Sequence, residues 1–350
     1  MNFITLTPDE FRDFADRSPY KSFMQTPEIA RLRESNGWTA YYFGVKENDK
    51  IIAATMAVAK PTFLGKSTFY TPGGPLVDYE NTELLDFFIK NLKNYAKSHN
   101  GYVLQIDPYY ELIQRDRNGE IVENGFNHQK AFANLQKLGF RPLPNSSQPK
   151  YLFVMDINNR TSDEILMDFK RNTRNHVRKA TKMGVTVREL KREELGKLKQ
   201  ITEATSERRH FTDRPLSYYE QMYDLFHDKD EVKFMVAEIP EATLSAAMFM
   251  TYGDEIIYLF SGSDEKYMRD YNAQYAIQWH MIKYAAEHGY KKYNFYGIQG
   301  LPDPNAKDYG IYEFKKGFGG HVVELLGSYE LPLSSFYYLR SLISKIKHML

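Results

Sequence analysis

Cysteine is absent from the 350 residues, which removes disulfide staples, thiolate metal sites and cysteine nucleophiles together. No window approaches the run of about 20 apolar residues that a bilayer span requires. The N-terminus, M-N-F-I-T-L-T-P-D-E, has no basic start followed by an apolar stretch, so a soluble, cytoplasmic protein is expected. An excess of one charge is missing as well, because 46 Lys plus Arg face 45 Asp plus Glu. Any polyanion must therefore be met by a local patch rather than by a global field. Serine-nucleophile signatures are lacking, and the 9 histidines show no H-E-x-x-H or comparable metal spacing. His210, His280 and His288 read as structural or surface residues. No metal, no cofactor and no covalent enzyme intermediate is expected.

What is present is enough apolar material, 42% with 15% aromatic, to bury a core, over a length that suggests two domains. Apolar periodicity predicts helices at 8–15, 26–35, 83–98 and 129–138, and strands at 40–45, 51–59, 67–71 and 102–106. Residues 111–127 are polar and punctuated by glycine and read as an exposed loop. The segment 143–150, with P-N-S-S-Q-P-K, has linker composition and sets the boundary: a first domain over 1–148, completed by 325–350, and a second over 149–324.

The second half repeats the first in outline. Strands at 232–239, 245–252 and 256–260, then a helix at 273–287 ending in His288-Gly289-Tyr290, match the earlier strands and the 84–98 helix ending in Asn100-Gly101-Tyr102. Two copies at a spacing of roughly 190 residues argue for a duplicated α/β unit. Between Lys170 and Lys182 the chain holds six Lys or Arg and no acid. Arg174, Arg178 and Lys182 fall at i, i+4, i+8, one stripe of a helix, with Lys179 beside them. A plain surface helix and a phosphate-chain contact both fit such a stripe, and the lack of interleaved acids favours the second.

The stretch 291–320 reads K-K-Y-N-F-Y-G-I, then a polar loop, then I-Y-E-F-K-K-G-F-G-G. A strand ending near Gly297 is followed by a loop over 299–308. Phe314 and Lys315 then stand side by side before glycines that permit a sharp turn. From the residues alone two readings stand. One is a C-terminal hairpin with Phe314 in the core and Lys315 solvated; the other is a site that sets an apolar ring and a cation against a base or sugar carrying negative charge.

The order G-Y-K-K-Y-N-F-Y-G-I, acidic loop, Y-x-F-K-x-x-F resembles the end of the second domain in the Fem family of peptidoglycan bridge-forming, aminoacyl-tRNA-dependent transferases. R-N-x-x-R-K-A-x-K-x-G-V at 174–185 is similar to a run opening that family's second domain. The resemblance covers nearly the whole chain. It implies two tandem acetyltransferase-like (GNAT-like) α/β domains, the element order already read from the repeat. It also implies an aminoacyltransferase that moves Ala, Ser or Gly from aminoacyl-tRNA to the side-chain amine of a stem-peptide diamino acid. The acceptor would be a UDP-linked or lipid-linked muramyl pentapeptide.

As the resemblance implies, Phe314 packs against the tRNA acceptor end, and Lys315 stabilises the oxyanion or departing ribose oxygen. Arg33 and Arg214 hold the precursor diphosphate, with Trp38 beside the first of them. Tyr102, Asp107, Tyr218 and Tyr258 line the acceptor path, and Asp107 helps take the amine's proton. Arg174, Arg178, Lys179 and Lys182 meet the tRNA. Some relatives have tyrosine where Phe260 stands here, so one hydroxyl is missing. The span 189–230 leaves room only for short helices, so no long coiled-coil arm is expected. The tail L-R-S-L-I-S-K-I-K-H-M-L is a basic amphipathic stretch suited to packing on the first domain or to touching the inner membrane surface. A monomer is expected. Two other classes stay open: a coenzyme A-dependent N-acyltransferase, and a non-catalytic tRNA- or precursor-binding protein. The first is opposed by the absence, in both halves, of the glycine-rich Q/R-x-x-G-x-G/A turn that holds pyrophosphate at a helix start.

Overall fold

The computed structural model describes residues 1–143 and 148–340. Positions 144–147 of the expected linker, and the basic amphipathic tail from 341 on, lie outside the described residues. The chain opens with β1 (Asn2–Thr5), α1 (Pro8–Arg17), α2 (Pro27–Glu34), β2 (Thr39–Glu47), β3 (Lys50–Pro61) and β4 (Ser67–Thr71). Next come α3 (Thr82–Ser98), β5 (Gly101–Ile106), β6 (Glu111–Gln114), α4 (Gln129–Lys137) and β7 (Arg141–Pro142). The middle of the chain holds β8 (Tyr151–Asp156), α5 (Ser162–Asp168), α6 (Arg171–Lys182), β9 (Thr186–Glu189), α7 (Leu195–Arg209), α8 (Leu216–Phe226) and β10 (Val232–Ile239). Then follow β11 (Ala242–Tyr252), β12 (Glu255–Ser263), α9 (Glu265–Tyr271), α10 (Ala273–Glu287), β13 (Lys292–Ile298), α11 (Tyr309–Lys316), β14 (His321–Leu325) and β15 (Tyr329–Pro332).

Two compact units result. One takes Met1–Gln114, Glu123–Lys150 and the chain from Glu324 on; the other takes Arg115–Val122 and Tyr151–Val323. The first unit's sheet runs β1-β2-β3-β4-β5-β15-β7, antiparallel except where β4 lies parallel to β5. That parallel pair needs a crossover, and α3 supplies it. Leu84, Leu85, Phe88, Ile89, Leu92 and Ala96 put one apolar stripe of α3 onto the sheet, where it meets Phe43, Phe69 and Leu104. Asn81 caps its first turn by accepting from the Leu84 N–H at 3.2 Å. Phe88 is fully buried, and Phe88→Ala removes roughly 3–5 kcal/mol.

The second unit repeats the plan in the order β14-β8-β13-β12-β11-β10-β9. Here α10 is the crossover between the parallel strands β12 and β13, burying Ile277, Gln278, Met281, Ile282 and Ala285. The duplicated α/β fold expected from the repeat is therefore present. Among the described residues the longest helix is α3, with 17 residues, so there is no helical arm, and no described helix is long and apolar enough to cross a membrane.

Two expectations fail locally. Residues 111–127 are not simply an exposed loop: β6 buries Leu112 and Ile113, and Ile113 bridges to Asn127 and Arg115 to Ile121. Two adjacent apolar residues give no periodicity to read, yet they suffice to anchor a short strand. Nor do Phe314 and Lys315 lie in a hairpin, because 309–316 is the helix α11. Tyr309, Tyr312 and Lys315 recur at helical spacing, and Tyr312 and Lys315 are its buried residues. A sequence reading that holds lysine to be solvated hides that stripe.

Candidate active site

In the second unit the site begins where two strands part. β12 and β13 pair only over Glu255–Ile257 and Lys292–Asn294. Beyond that point both strands are irregular, β12 against β11 between Met248 and Phe249, and β13 against β8 between Asn294 and Gly297. In β13 the two residues Phe295 and Tyr296 stand against the single residue Phe153, a bulge. Tyr296 takes φ +63°.

Lys315 of α11 reaches this bulge. It is only 5% exposed, and its Nζ donates to the carbonyl of Gly297 at 2.6 Å and to that of Tyr296 at 3.3 Å. Burial lowers its pKa to about 7, because a cation loses hydration there that two carbonyl dipoles replace only in part. The neighbouring Phe314 is half-buried, its ring 5.0 Å from Tyr275 on α10 and 5.2 Å from Phe318. Tyr275 in turn lies 4.6 Å from the His176 ring on α6.

Tyr258 of β12 is held by its hydroxyl. It accepts from Gln274 Nε2 at 2.5 Å and shares a short hydrogen bond with Ser261 Oγ; burial pushes its pKa up to about 12, so it stays a neutral phenol. The loop between α7 and α8 presents Arg214 at 5.3 Å over the Tyr218 ring, and Tyr218 packs on Phe260 at 5.9 Å. Asp213 anchors that loop by accepting from Lys199 Nζ at 2.9 Å, Thr202 Oγ1 at 2.8 Å and Tyr219 Oη at 2.9 Å.

The first unit carries a second cluster. α2 ends in a left-handed Gly37, φ +78°, and the Trp38 N–H returns to the Arg33 carbonyl at 3.2 Å, a closure typical of such helix ends. The Arg33 guanidinium thereby sits 5.8 Å from both the Trp38 and Tyr70 rings, while Lys60 Nζ lies 5.6 Å from Trp38. Asp107, at the end of β5, accepts from the Tyr70 hydroxyl and from the Gly73 N–H. Its burial raises the pKa to about 7, and the two hydrogen bonds and nearby Arg33 hold it from going higher. An aspartate before proline is thus both a turn anchor and a poised carboxyl.

Arg33, Trp38 and Asp107 are brought together, as are Phe314 with Lys315 and Arg214 with Tyr218. Tyr102 is not part of the Asp107 cluster. It begins β5, about 16 Å of extended chain away, and is covered by Phe336 at 5.3 Å and by Arg340, which hydrogen-bonds its hydroxyl. On α6, Arg178, Lys179 and Lys182 are exposed, whereas Arg174 donates to the Met167 carbonyl at 2.8 Å and to that of Phe169. Sequence reasoning missed Tyr70, Lys60, Gln274 and Asp213. Tyr70 is signalled only by strand pairing, since β4 runs beside β5 with Tyr70 opposite Gln105.

The FemAB family model matches residues 6–243 and 240–345. The chain belongs to the FemAB family. Its FemAB relatives include the aminoacyltransferase FemA of Staphylococcus epidermidis, 30% identical over 99% of this chain and all of that protein. FemA of Staphylococcus aureus is 29% identical over 97% of each. Among solved structures, FemX superposes with a TM-score of 0.84 at 24% identity, covering 97% of this chain and 99% of its own. A tandem GNAT protein from the clavulanic acid biosynthesis pathway reaches 0.55 at 10% identity, covering 95% and 98%. The duplicated GNAT-like architecture of this FemAB chain thus recurs in proteins of widely different sequence.

Proposed function

We propose that this FemAB protein moves an amino acid, Ala, Ser or Gly, from aminoacyl-tRNA to the side-chain amine of the diamino acid in a peptidoglycan precursor stem peptide, building an interpeptide bridge. The amine nitrogen attacks the ester carbonyl, the carbon–oxygen bond to the ribose breaks, and an amide forms. The proton lost by the amine is matched by the one gained on the ribose oxygen. Because the ester is already activated, positioning and charge stabilisation suffice, and no protein nucleophile is needed. The reaction belongs in the cytoplasm, where aminoacyl-tRNA is found.

The observation that carries this reading is the buried Lys315 beside Phe314, in a chain whose full-length relatives are aminoacyltransferases. A cation in a site of low polarity acts strongly on charge that develops in the transition state. Lys315 stabilises the oxyanion or the departing ribose oxygen, and Phe314 packs against the acceptor end of the tRNA. Arg178, Lys179 and Lys182 meet its phosphates. Asp107 takes up the proton of the attacking amine, a task for which a carboxyl with a pKa near 7 is better suited than an ordinary one. Arg33 and Arg214 grip the precursor's phosphates, a planar fork on two oxygens.

The test mixes purified protein with tRNA charged with labelled Ala, Ser or Gly and with UDP-linked or lipid-linked muramyl pentapeptide. A pentapeptide heavier by one residue, formed much more slowly by Lys315→Ala, is the expected product. If no donor serves either acceptor while acetyl-CoA acylates an amine, the coenzyme A reading takes its place.

A further inference from the structure

Lys315 is held by backbone carbonyls that a regular strand would not offer, so what shapes the bulge also aims the lysine. Three backbone groups at the bulge bond to side chains. The carbonyls of Tyr296 and Gly297 turn to Lys315 Nζ, and the N–H of Tyr296 is taken by Asn294 Oδ1 at 2.7 Å. Asn294 is fully buried, and its Nδ2 donates to Glu255 Oε1 at 2.9 Å. Only this orientation of the amide satisfies both a donor and a carboxylate. The anchor itself sits on the last rung of the β12–β13 pairing, Asn294 opposite Ile257, with Glu255 on the first.

Tyrosine at φ +63° is a strained choice. It persists because the Asn294 side chain rewards that conformation with a hydrogen bond, which a half-buried N–H would otherwise lack. Without Asn294 the balance tips toward a flatter strand, in which the Tyr296 carbonyl returns toward the ladder and no longer faces α11.

We propose that Asn294 is a positioning residue for Lys315: with Glu255 it locks the β13 bulge whose carbonyls aim the ammonium. The inference rests on the reading of Lys315 as the cation at the reacting carbonyl. It predicts a defect in the chemical step rather than in binding.

A double-mutant cycle on the full-length protein tests it, using single-turnover transfer at saturating aminoacyl-tRNA and muramyl pentapeptide. Asn294→Ala lowers the rate roughly 10- to 100-fold, the scale expected when a reacting group is misplaced by about 1 Å, with the half-saturating concentrations of both substrates unchanged. In the Lys315→Ala background the same change lowers the residual rate less than about twofold. Asn294→Asp alone sets two carboxylates together and is impaired. Paired with Glu255→Gln it restores both hydrogen bonds, the one between positions 294 and 255 with donor and acceptor exchanged, and it recovers the rate, which also serves if the alanine variant does not fold. The proposal is overturned if Asn294→Ala is silent while Lys315→Ala is strongly impaired, if its loss is equal in both backgrounds, or if the exchanged pair folds and stays impaired. Full activity in Lys315→Ala would instead remove the reading of Lys315 itself, and this inference with it.

Discussion

At pH 7 a lysine placed like Lys315 is close to half protonated, so in the proposed reaction its charge would be a variable. Its folded pKa of about 7 lies below the ordinary 10.5, and the unfolded chain therefore binds more protons between these values. Stability contributed by this residue rises with pH across that window and is lost as pH falls through 7. The unfolding free energy of the wild type, measured against Lys315→Met in urea, should gain a few kcal/mol from pH 7 to 10. The proposed reaction would have the opposite slope, because only the cation stabilises an oxyanion. In the proposed reaction Asp107 would supply the other limb, since its carboxyl must lose a proton near pH 7 before it can accept one. Single-turnover rates should trace a bell centred near neutrality. Tyr70→Phe deletes a hydrogen bond that favours the carboxylate, so the acid limb should move to higher pH. Lys315→Arg, which stays charged, should abolish the alkaline limb even if its rate is lower; an unshifted bell in both variants would remove these two groups from the reaction.

At the scale of elements, α6 separates a stripe into two kinds of cation. Charge reversal of Arg178, Lys179 and Lys182 should weaken tRNA binding by 10-fold or more and flatten its dependence on salt, the signature of lost phosphate contacts. Arg174→Ala should leave that salt slope nearly unchanged and instead lower thermal stability, because Arg174 caps carbonyls at 167 and 169. The turn between α11 and β14 is equally constrained: a Cβ at Gly320 would meet the Val154 carbonyl oxygen at 2.3 Å, with φ at +96°. Gly320→Ala should cost about 3 kcal/mol or more, roughly 6–12 °C by thermal denaturation.

These elements also mark what the sequence makes legible. α3, α10 and the strands beside them announce themselves because amphipathic period and turn residues agree. Even the stripe of α6 is readable as geometry. The division of labour within it is not, since Arg174 is spent on a neighbouring helix end that no spacing reveals. α11 escapes because its buried stripe includes a lysine. Tyr70 and Asp107 meet only once β4 and β5 lie parallel, and Tyr102 leaves the Asp107 cluster because the four residues 103–106 of extended strand lie between them. Chemistry that depends on burial, such as a lysine and an aspartate both drawn to about 7, has no trace in residue type at all.

For the whole molecule, the first unit is assembled from both ends of the chain. β15 fills the gap between β5 and β7, with Tyr329 opposite both Ile106 and Pro142, so the sheet that carries Tyr70 and leads into Asp107, with Arg33 on α2 nearby, has an empty lane until residues 329–332 arrive. The second unit has no such debt, since Tyr151–Val323 is contiguous apart from one short excursion. A chain stopped after 325, which keeps β14 and removes β15, should keep a folded second unit, yet give no protected first sheet in hydrogen exchange, although every one of those three side chains is present. On the ribosome the order of completion is then the reverse of the order of synthesis: the half translated first is finished last, and a message truncated near its 3′ end yields a protein that has every candidate site residue on an unfinished first sheet.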